Sequence, residues 1–137
     1  MIVEQTLYDL AKCRFDEAKI LLKNHKADGA VYLCGYALEL ILKRKIVLVL
    51  DWDGYPNNNN EFQDYKSFRS HDLNVLLKLA GLEKKIQADT TALARWQIAN
   101  VWNSEIRYRE VGKVTEAEAS DIIEATRLTI NFVFKQT

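Results

Sequence analysis

Three polar residues stand where they could do chemistry: Glu39, His71 and Arg107. Glu39 lies in CGYALELILKRK, and between residues 31 and 42 only Gly35 and Glu39 are neither apolar nor aromatic. A carboxylate in such a stretch either faces a narrow wet stripe or is held by a partner, because a buried unpaired charge is costly. On a helical wheel of about 100° per residue, Tyr32, Gly35, Tyr36, Glu39 and Lys43 share one sector. Lys43 follows Glu39 at i+4, the favoured order for an ion pair. Two tyrosines and a glycine suit an interface with another helix: tyrosine joins apolar area to a polar tip, and glycine admits a second backbone. The opposite sector, with Leu33, Ala37, Leu40, Ile41 and Leu48, is the expected core face.

A second stripe falls on Trp96, Asn100, Asn103 and Arg107. Core stripes rarely hold two asparagines and an arginine. Amides and a guanidinium fork can hydrogen-bond a carboxylate, a phosphate or a base edge. Arg107 is therefore read either as the partner of Glu39 or as a ligand-holding cation. His71, in FRSHDL, could serve as general base, ligand or hydrogen-bonding group at a helix start, and capping or packing is the simpler role. No second histidine stands near it, and His25 lies in a charged turn, so neither a metal site nor a cofactor is expected. No Ser/His/Asp set or glycine-rich phosphate loop is present.

These residues need elements to position them, and the chain has few breakers: one proline, Pro56, and five glycines. Long periodic stretches predict an all-α bundle. Helices are expected over about 3–24, then from Asp28 as N-cap to about 50, then in HDLNVLLKLAG closed by Gly81. IVLVL, at the end of the second, has strand propensity but no visible strand partner, so it is read as helix. A helical turn near 82–87 and a long helix over about 90–109, with Asp89 as cap, follow. The last runs from Thr115, in a capping box with Glu118, to about 135. Between the second and third lies a long connection at about 51–67, whose length and Asn run suit a flexible tip.

The 137 residues suit a single domain, and 48% hydrophobic with 28% charged residues is ordinary for a soluble protein. Lys+Arg and Asp+Glu number 19 each, which disfavours sequence-blind nucleic-acid binding and favours self-association. Cys13 and Cys34 both fall among apolar neighbours and are expected to be small buried hydrophobes. The first fifteen residues lack the pattern of a signal peptide, and Glu39 with Lys43-Arg44-Lys45 breaks the longest apolar span. A cytoplasmic protein without membrane contact is expected.

Taken together and in order, AVYLCGYALELILKRK, SHDLNVLLKLAG and WNSEIRYRE resemble the HEPN superfamily, the higher-eukaryote and prokaryote nucleotide-binding helical domains. The resemblance covers nearly the whole chain. It implies an up-and-down bundle of four to five helices, commonly a homodimer, often acting with a small nucleotidyltransferase in toxin–antitoxin or defence systems. Many members are metal-independent ribonucleases using an Arg-x4–6-His motif. Arg107 matches the arginine, but no histidine stands four to six residues beyond it. The expectation is therefore a dimeric module that binds a nucleotide or a protein partner, with Arg107, Asn103, Trp96 and Asn100 at the ligand and no nuclease activity of its own. One alternative is a ribonuclease with a rearranged site in which His71 and Arg107 meet. Another is a structural scaffold assembling through Tyr32 and Tyr36.

Overall fold

The computed structural model describes residues 1–103 and 108–136, with only the backbone described for Trp102 and Asn103. Among the described residues six α-helices form a bundle: α1 (Glu4–Lys23), α2 (Ala27–Val49), α3 (Leu73–Leu79), α4 (Glu83–Ala88), α5 (Thr90–Ala99) and α6 (Glu116–Lys135). Among the described residues the only β feature is one isolated bridge, between Ile2 and Tyr55. The all-α expectation holds, and the IVLVL stretch is helical through Val49. None of the described helices is long and apolar enough to cross a membrane.

The centre of the bundle is α2, apolar around most of its circumference, which suits a helix packed on several sides. Val31, Cys34, Leu38, Leu42 and Ile46 are buried along it. Antiparallel to it lies α1, where Leu7, Ala11 and Ala18 recur at helical spacing on one buried face. On other sides α6 covers α2 with Ala119, Ile122 and Val133, and α3 with Leu73, Leu76 and Leu77. α1 and α6 also run antiparallel. Tyr8 meets Phe134 at one end, with ring centroids 5.9 Å apart, and His25 meets Glu116 at the other.

Local chemistry sets the helix ends. Asp72 caps α3 by accepting from the amides of Asn74 and Val75, and Asp89 caps α5 by accepting from Ala92. Thr115 caps α6 through Glu118 N–H as expected, while the Glu118 carboxylate is engaged by Arg109. Gly81 closes α3 at φ +73°, a left-handed conformation that glycine adopts without a Cβ penalty. Two expected boundaries change. α2 starts one residue before Asp28, whose carboxylate accepts from Gly112 N–H instead of capping. The long helix expected to about 109 ends at Ala99 and tightens into a 3-10 turn over Asn100–Asn103.

Residues 51–72 pack as a compact loop around their own aromatic side chains. Trp52 has Tyr55, Tyr65 and Phe68 edge-on at 6.2, 5.1 and 4.9 Å. Tyr55 is buried, its hydroxyl donating to Phe68 O at 2.5 Å and its backbone pairing with Ile2. Gly54 makes that pairing possible, because a Cβ there would sit 2.9 Å from Ile2 O.

Two burial expectations are corrected. Cys13 is exposed, with its thiol donating to Glu17, whereas Cys34 is buried. Leu48 is 49% exposed and lines an open groove with Val133 and Phe134, whereas Ile46 and Val47 of the same turn are buried.

Candidate functional site

The loop and the start of α3 cover one side of α2, and this buries Glu39. Its carboxylate is 1% exposed and has two cationic or protonatable partners on the same oxygen. Lys43 Nζ donates to Oε1 at 2.9 Å from one turn further along α2, and His71 Nδ1 lies 2.6 Å from the same atom. Lys43 also sits 5.3 Å over the Tyr55 ring, so the loop aromatics and the buried acid share one cation. Burial, and secondarily the Glu39 charge, push the Tyr55 phenol well above its ordinary range.

His71 is the open end of this arrangement. Its side chain is 69% exposed although Nδ1 reaches a buried carboxylate. A carboxylate at Nδ1 orients the ring, while most of the imidazole stands in solvent. That is the geometry of an oriented acid–base group: imidazole in the open, orienting group inside. The capping role falls to Asp72 instead, one residue on.

The second polar cluster centres on Asn74, also on α3. Its Oδ1 accepts from Trp96 Nε1 at 3.3 Å and from Asn100 Nδ2 at 2.9 Å. Trp96 is buried at 4% exposure, so its indole works as packing with a tethered N–H. The side-chain carbonyl oxygen of Asn100 is buried and, among the described residues, meets no hydrogen-bond donor. Two polar clusters thus flank the start of α3: Glu39 with His71 just before its cap, and Asn74 in its first turn with Trp96 and Asn100 at the end of α5.

The sequence placed some of this correctly. Lys43 is the i+4 partner of Glu39, and Trp96 with Asn100 share one face. The pairing of Glu39 with His71, 32 residues away, was not foreseen, nor were the roles of Asn74 and Tyr55. Nothing local marks Asn74 except its place in the first turn of a short helix. Arg107 lies outside the described residues, as does the side chain of Asn103. Of the expected interface residues, Gly35 is buried, Tyr36 half-buried and Tyr32 exposed. No group of three or more possible metal ligands occurs among the described residues.

Comparison with known proteins finds no matching family model, no matching curated relative and no matching solved structure.

Proposed function

We propose that this chain is a dimeric, HEPN-like helical module that binds a nucleotide or RNA phosphate on the His71 face and acts with a protein partner, a small nucleotidyltransferase being the kind the resemblance implies. The observation that carries this reading is the pairing of two of the stretches behind the resemblance, Glu39 and Lys43 of the first with His71 of the second. SHDLNVLLKLAG also supplies Asn74, which accepts from Asn100, two residues before WNSEIRYRE begins. His71 offers an exposed imidazole to a ligand, and Arg107 follows Asn100 by seven residues in the sequence. Calorimetry with a nucleoside 5′-monophosphate and a short single-stranded RNA, together with solution mass, tests it. Saturable binding lost in His71→Ala, by a dimer, is expected. An absence of binding to either ligand contradicts the reading.

A ribonuclease is favoured as a second reading by one observation: the imidazole is exposed while its Nδ1 is held by a buried carboxylate. In this reading Nε2 takes the proton from a ribose 2′-hydroxyl as that oxygen attacks phosphorus and the 5′-oxygen leaves. Arg107 is the residue assigned to the phosphate charge. Incubation with RNA separates the two readings. Cleavage abolished by His71→Ala supports the nuclease, and intact RNA with retained binding supports the module.

A further inference from the structure

Another surface lies on the far side of α2. Ile41 is about 200° round the helix from Glu39, and it floors a groove between α1 and α6. Three cavities follow one another along this seam, of about 230, 560 and 350 Å³. Tyr8, Phe15, Ile130 and Phe134 wall the first; Ile20, Leu22 and Ile123 belong to the second; Leu48 and Val49 extend the groove past the end of α1. From Tyr8 to Lys23 the α1 wall alone spans about 22 Å at 1.5 Å per residue. Four of its large apolar residues stand open to water: Ile20, Leu48, Val49 and Phe134, at 59, 49, 52 and 40%.

Charge distinguishes this groove from an ordinary apolar crease. Its lining contains six cations, Lys12, Lys19, Lys23, Arg44, Lys45 and Arg127, and one acid, Asp16, in a chain of zero net charge. Asp16 is engaged by Lys19, while Glu4 and Glu124 outside the lining engage Arg44 and Arg127. Among the described residues, neither Lys12 nor Lys23 meets an acid within salt-bridge distance. An apolar floor of helical length with cationic edges is complementary to a helix carrying an apolar stripe between acidic flanks. A second copy docked here symmetrically would set the same basic edges against each other, which disfavours self-association through this face.

We propose that the α1–α6 groove is a docking site for an amphipathic, acid-flanked helix contributed by another protein. The surface is independent of the His71 face, and one partner can occupy it while a ligand is bound opposite.

The test uses the full chain and fluorescence anisotropy of a labelled synthetic helix of about 16 residues, with Leu at i, i+3, i+4 and i+7 and Glu on both flanks. A peptide with the same leucines and Lys flanks is the control, and anionic phospholipid vesicles are a third probe. Saturable binding of the Glu peptide is expected, at least about tenfold tighter than the Lys peptide and weakened by salt. Lys12→Glu and Lys23→Glu, both surface changes, should each weaken it several-fold, Phe134→Ala should weaken it also, and His71→Ala should leave it unchanged. Equal binding of both peptides, indifference to Lys12→Glu and Lys23→Glu, binding to vesicles but not to the peptide, or a dimer that Lys12→Glu dissociates would each overturn the proposal.

Discussion

The two sides of α2 differ in how they treat their polar groups. On the Glu39 side, charge is drawn inward: a carboxylate at 1% exposure is matched by Lys43 at 16% and by an imidazole that reaches in from the surface. On the Ile41 side, charge stays at the edges and apolar surface is left open between α1 and α6. The first arrangement fixes geometry, because a buried ion pair tolerates little movement before its desolvation goes uncompensated. The second stores unsatisfied apolar area that an incoming helix can cover. One side is therefore organised around a buried acid, and the other leaves apolar surface uncovered.

The largest effect expected on this contrast is from Glu39→Ala. It strands Lys43 and His71 around a buried void and should lower stability by about 3–4 kcal/mol in denaturant unfolding. A loss no larger than that of a surface change would mean that the Glu39 side is not the organised one. Trp52→Ala removes the ring about which Tyr55, Tyr65 and Phe68 pack, and should cost about 3 kcal/mol. It should also free His71 from Glu39, visible as changed His71 ring signals in NMR.

Next comes pH. Burial pushes the Cys34 thiol from 9.0 up to about 12, and burial with the Glu39 charge raises the Tyr55 phenol. Both groups are neutral when folded and hold their protons longer than in the unfolded chain. The folded state thus binds more protons above about pH 9, and stability must fall as pH rises from there. Thermal unfolding followed from pH 8 to 11 should show this decline, made shallower by Cys34→Ala and by Tyr55→Phe. At neutral pH Tyr55→Phe should cost only about 1 kcal/mol, the hydrogen bond to Phe68 O. His71→Ala should cost about as little, since Lys43 still holds Glu39. The gap between His71→Ala and Glu39→Ala measures how far the dyad is asymmetric, with a structural acid and an expendable imidazole.

Much of the fold was legible because it rests on local rules. The i, i+4 spacing of Leu7 and Ala11, the caps at Asp89 and Thr115, and Gly81 after a short apolar run all act over a few residues. The Glu39–Lys43 pair was legible for the same reason. The Glu39–His71 contact was not, because it depends on how a loop of some twenty residues folds around Trp52, and no pattern in DWDGYPNNNNEFQDYKS specifies that packing. Cys13 was misread because nearby apolar residues such as Leu10 and Ala11 do not share its helix face: Lys12 and Arg14 flank it, and it is exposed while Ala11 is buried. Leu48 fits the core sector of the wheel, but it lies at the open groove beside Val133 and Phe134 and stays partly in water, while Ile46 and Val47 next to it are covered. The groove escaped notice because it forms between α1 and α6, and Lys23 at the end of one is 93 residues from Glu116 at the start of the other.

The most direct test of the central claim is a calorimetric titration of the wild-type chain and of His71→Ala with a nucleoside 5′-monophosphate, both proteins first matched for folding. The account predicts saturable binding by the wild type, weakened at least about tenfold by the substitution, which corresponds to about 1.4 kcal/mol. Equal affinity in the two proteins, or no heat of binding in the wild type, would contradict it.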